Sequence, residues 1–66
     1  MKKIKIQDYT IFVILQKSGE FKHERFGQAF MNYFYSDTGL VDAELFYTES
    51  KERAVSIIWS KYISIE

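Results

Sequence analysis

The 66 residues predict an all-α fold: a small three-helix domain with a short extra helical turn before the last helix and an extended N-terminal arm. Three observations carry this. Apolar residues over 24–35 and 50–63 recur at helical spacing. Polar, turn-forming residues bracket the apolar stretches: Asp8, Ser18-Gly19, Ser36-Asp37-Thr38-Gly39 and Ser50. Only the opening KIKI, residues 3 to 6, alternates polar and apolar as a strand does.

Residues 1–7 therefore form the extended basic arm. Helix 1 is placed over 8–18, with Asp8 as its cap and Ser18-Gly19 as its stop. Its composition argues the other way. Thr10, Ile11, Val13 and Ile14 are β-branched and suit a strand, so a strand is the alternative for 9–17. The bracketed length of about three turns, with no evident partner strand, favours helix.

Helix 2 is placed over 24–35. Phe26, Ala29, Phe30, Tyr33 and Phe34 follow i, i+3, i+4, i+7, i+8 spacing and make a wide core face. Only Arg25, Gln28 and Asn32 leave a narrow polar strip, as expected of a central helix with neighbours on two sides. Gly27 lowers helix propensity by roughly 1 kcal/mol against alanine. Its missing side chain is expected to let helix 1 or helix 3 approach closely.

Residues 42–46 are expected to form one short turn capped by Asp42, with Leu45 and Phe46 plugging the core. Helix 3 is placed over 50–63, with Ser50 as N-cap and Glu52 in the first turn, where a carboxylate suits the helix dipole. Ala54, Ile57, Ile58 and Lys61 trace its inner stripe; Val55, Trp59 and Tyr62 widen it.

A chain of this length sits near the lower limit for folding alone. There is no cysteine, so neither disulfides nor a thiolate zinc site can supplement the core. Six phenylalanines, five tyrosines and one tryptophan must supply it, and a homodimer that buries more of them is an expectation. No apolar run is long enough to span a bilayer. The basic-then-apolar start resembles a secretory leader, but Asp8 interrupts it and no small-residue cleavage site follows. A cytoplasmic location is expected.

The chemistry is narrow. His23, with Glu20 and Glu24 nearby, is a single imidazole among flexible carboxylates and makes no metal site. Gly19, Gly27 and Gly39 are too separated to cradle a phosphate, and no nucleotide or nucleophile motif occurs. The acid pairs Asp37 with Asp42 and Glu49 with Glu52 sit where caps and loops use acids anyway. No catalytic residue, cofactor or metal is expected. Nine Lys and Arg balance nine Asp and Glu, so no overall field favours nucleic acid. Lys2, Lys3 and Lys5 nevertheless offer a local basic arm, which makes a small nucleic-acid-binding protein the alternative.

The strip Arg25, Gln28, Asn32 is the candidate partner-binding surface, a polar patch ringed by aromatics. Its competing role is structural: Gln28 or Asn32 hydrogen-bonding the backbone of the 36–44 loop.

Arg25-Phe26-Gly27-Gln28-Ala29-Phe30, then Asn32, then Leu45-Phe46-Tyr47, then Ala54, Ile58, Trp59 and Tyr62 resemble a set of short proteins encoded by bacteriophages and prophages. The similarity spans roughly residues 20–62. It implies a small helical accessory protein, non-catalytic and acting by protein–protein interaction on a host or phage protein, in a bacterial cytoplasm.

Overall fold

The computed structural model of the chain describes residues 3–65. It is mostly helical, in the order β1 (Ile4–Lys5), α1 (Ile6–Lys17), α2 (Phe26–Tyr35), α3 (Ala43–Tyr47), α4 (Lys51–Lys61) and β2 (Ile63–Ser64).

The residues of α1 are helical despite their branching. Branching costs at most about 0.7 kcal/mol per residue in propensity. A helix offsets this by gathering Tyr9 and Phe12 on one side, where both are buried. Asp8 is not its cap: the helix begins at Ile6 behind Lys5, and Asp8 lies in the first turn. The stop is at Ser18-Gly19. Gly19 takes φ +92, while its N–H bonds the Gln16 carbonyl at 3.2 Å and Glu20 N–H bonds that of Leu15 at 3.2 Å. That pair of bonds closes the last turn, and the positive φ suits glycine.

The N-terminal arm differs from expectation. Ile6 and Gln7 belong to α1, and Ile4–Lys5 pairs in parallel with Ile63–Ser64, Ile4 opposite Ile63 and Lys5 opposite Ser64. Ile4 N–H also donates to the Tyr62 carbonyl at 2.7 Å. The alternation of KIKI is used: Ile4 is buried and Lys5 exposed. The last helix, expected to reach residue 63, ends at Lys61 because Ile63 turns away to pair with Ile4.

Phe12, Phe30, Leu45 and Ile58 are the largest fully buried side chains, one from each of the four helices. The short α3 is therefore as much part of the core as the long helices. Phe30 and Phe12 are the two hubs: the ring centroids of Tyr9, Phe12, Phe34, Tyr35 and Tyr62 lie 5.0–6.3 Å from that of Phe30. The face of α2 is rotated from the expected one. Met31 and Tyr35 are buried, while Tyr33 is half-exposed against Phe12 and Phe21.

Candidate functional site

Helix α3 is pinned to α2 through two residues, Gly27 and the N-cap residue Arg25. Gly27 faces Leu45 of α3, rather than the first or last helix. A Cβ built on Gly27 would run into the Leu45 carbonyl, with Leu45 C and Cδ1 only 2.9 Å away. Arg25, half-buried, donates from Nε to the Phe46 carbonyl at 3.2 Å. Its guanidinium also lies 5.8 and 5.6 Å from the ring centroids of Phe46 and Tyr47. At the start of α3, Asp42 Oδ1 accepts from the Leu45 amide at 3.2 Å.

The second carboxylate oxygen of Asp42 accepts from Tyr62 Oη at 2.7 Å and lies 3.7 Å from Lys61 Nζ. Burial acts to raise the Asp42 pKa. The hydrogen bonds from Tyr62 and the Leu45 amide, with Lys61, outweigh it and hold the carboxyl below 3.8. Burial, then donation to Asp42, pushes Tyr62 well above the ordinary tyrosine value. The carboxylate thus ties the start of α3 to the end of α4.

Between α2 and α3 the chain turns at Ser36–Gly39. Thr38 Oγ1 donates to the Tyr35 carbonyl at 2.9 Å and accepts from the Leu40 amide at 3.1 Å. This sets Leu40 and Val41 beside α3 and leaves a groove of about 300 Å³. Met31, Leu40 and Phe46 supply its apolar lining, with Asn32, Ser36, Val41 and Tyr47 around them. Val41 is 75% exposed and Tyr47 65%, the larger apolar exposures of the surface around it. Its polar groups are the Asn32 amide, the Ser36 hydroxyl and the phenols of Tyr35 and Tyr47, so it suits apolar contact with a few hydrogen bonds.

The predicted polar strip is divided. Gln28 Oε1 accepts from the Arg25 amide at 3.3 Å. This is half of a capping box; arginine has no acceptor for the other half. Asn32, exposed, donates to Glu24 Oε1 at 3.0 Å and alone of the three lines the groove. Neither Gln28 nor Asn32 hydrogen-bonds the 36–44 loop; Thr38 serves it instead, accepting from the Leu40 amide. Lys3 and Lys5 are exposed, and Lys2 lies outside the described residues. Asp37 accepts only from Ser36 Oγ at 3.4 Å, and Ser50 caps α4 through the Arg53 amide. Among the described residues no three His, Cys, Asp or Glu side chains gather as a metal would need. Sequence reasoning named Tyr47 within the resemblance and did not single out Val41 as a contact residue. An apolar residue directly before the Asp42 cap was the available signal.

No protein-family model, curated protein or solved structure matches the chain. Among the described residues no helix is long and apolar enough to cross a membrane.

Proposed function

We propose that the chain is a non-catalytic accessory protein of phage or prophage type that works in a bacterial cytoplasm by protein–protein interaction, with the α2–α3 groove as its contact surface. The observation that carries this is the apolar lining of Met31, Leu40 and Phe46 beside the outward-turned Val41 and Tyr47. Aromatic anchors next to a small apolar recess, with polar groups at its edge, are the usual composition of an interface centre. The Arg25 guanidinium, beside the rings of Phe46 and Tyr47, helps hold them in place before any partner arrives.

A nucleic-acid-binding role through Lys2, Lys3 and Lys5 is the competing reading. Lys5 and Lys17 flank the two ends of α1, a separation of about 18 Å along a twelve-residue helix. Nine acidic residues balance the nine basic ones, so no overall field adds to such a local basic arm.

An affinity capture from bacterial lysate, run with and without nuclease, tests the choice. A protein retained after nuclease treatment is expected. Recovery of nucleic acid alone, lost when Lys3 and Lys5 become alanine, would replace this reading with the other.

A further inference from the structure

On the α2 side of the groove, two lining side chains each touch a carboxylate. Asn32 Nδ2 donates to Glu24 Oε1 at 3.0 Å, and Ser36 Oγ donates to Asp37 Oδ1 at 3.4 Å. Ser36, the C-cap of α2 with helical φ and ψ, stands one turn beyond Asn32. Both therefore face the same way, about 6 Å apart along the axis. The lining itself is uncharged, so the negative charge stands just outside one edge of an apolar recess. Among the described residues neither carboxylate is in an ion pair. The pairs are Arg53 with Glu44 and Lys61 with Asp42; Lys22 and His23, beside Glu24 in sequence, join none. Arg25 is committed to the Phe46 carbonyl, and Lys51 lies over the Phe26 ring.

Resting on the reading of this groove as a protein contact, we infer that its occupant is a basic–apolar segment. A large apolar side chain fills the recess, and a lysine or arginine within two positions of it meets the Asn32–Ser36 edge. A volume of about 300 Å³ is at the small end for a ligand site, room for roughly one or two side chains and not for a whole helix. An extended segment advances about 3.3 Å per residue, so a long basic side chain near the anchor reaches the carboxylates at that edge. An acidic or phosphate-bearing segment would meet like charge there and be rejected. Val41 and Phe46 form the α3 side, so the anchor and the cation are read by different walls.

Glu24→Gln combined with Asp37→Asn tests the charges, because each amide keeps its shape and an acceptor oxygen for Asn32 or Ser36. The immobilised full chain selects binders from a library of random short peptides. The affinities of the selected peptides are then measured for wild type, the double variant and Val41→Glu. The selected peptides should share a large apolar residue with a lysine or arginine within two positions. The double variant should melt as wild type does yet bind them about threefold or more weakly, as for two exposed ion pairs, and with less salt dependence. Selected peptides that lack the basic residue, or that bind the double variant as well as wild type, overturn this inference. If Val41→Glu still weakens those peptides, the groove remains the contact surface. Binding that Val41→Glu leaves unchanged removes the groove reading and this inference with it. A selection that enriches no sequence overturns the segment as occupant. A wild-type dimer that Val41→Glu returns to monomer assigns the recess to a second copy and does the same.

Discussion

The carbonyl of Leu45 occupies the space where a side chain at Gly27 would begin. This approach, between a residue in the first turn of α2 and the only fully buried residue of α3, brings the short helix close enough to form one wall of the groove. Gly27→Ala should therefore destabilise, by about 1–3 kcal/mol, because the obstacle is backbone and cannot rotate away. At an open helical position the same change would stabilise by roughly 1 kcal/mol. The sign of the shift in a denaturation midpoint separates the two.

Phe30→Ala should cost about 3–5 kcal/mol, as expected for a fully buried phenylalanine. Its ring neighbours come from α1, α2 and the end of α4, so the loss loosens several elements together. Tyr33→Ala, at a half-exposed ring, should cost clearly less. Equal melting temperatures for the two variants would contradict the assigned core.

The element most plainly written in the sequence is α2, because Phe26, Ala29 and Phe30 recur at helical spacing and are buried together. The caps at Asp42 and Ser50 are legible for a similar reason: each is a short polar side chain directly before an apolar helical stretch, and each accepts the expected amide. The β1–β2 pair was not legible. It joins two residues at each end of the chain, and no local pattern reports a partner that far away. The rotation of α2 that buries Tyr35 and turns Tyr33 outward depends on where Tyr62 lies, since Tyr35 packs at 5.4 Å against it. The groove was missed for the same reason: it exists only once Leu45 is seated on Gly27. Arg25 and Asn32 were noticed as polar residues, but their partners Phe46 and Glu24 follow from tertiary packing and the turn before α2.

Asp42 makes stability depend on acid. Its folded pKa lies below the unfolded value, so its contribution is fully present above about pH 4 and is lost as pH falls through the folded pKa. Asp42→Ala should remove this dependence. It should cost about 1–3 kcal/mol near neutrality, since the cap and the acceptor for Tyr62 go together. Urea midpoints for both proteins between about pH 2 and 7 check this, with convergence at the acid end as the expected result.

At the alkaline end the tyrosines act in the opposite sense. Burial raises the pKa of Tyr9, Tyr35 and Tyr62, although a hydrogen bond from Trp59 partly offsets it at Tyr9. Their contribution is whole below the unfolded value of 10.0 and is lost as pH rises toward the folded values. Stability should fall above pH 10 by up to about 1.4 kcal/mol per pH unit for each tyrosine held neutral. Tyr62→Phe should flatten part of that slope. A midpoint unchanged between about pH 10 and 12 would contradict the buried phenols.

Val41→Glu separates the proposed role of the α2–α3 groove in meeting a partner protein from its role in the fold. Val41 is 75% exposed, so the substitution should leave folding stability within about 0.5 kcal/mol. At the edge of an apolar contact, however, an unpaired carboxylate should weaken binding by at least about tenfold, or roughly 1.4 kcal/mol. The measurement is the dissociation constant of the nuclease-resistant protein partner for wild-type and Val41→Glu chains, with a thermal melt of each. Loss of affinity at constant melting temperature is the predicted result. Equal affinity for both chains would show that the partner binds elsewhere and would overturn the proposed groove interface.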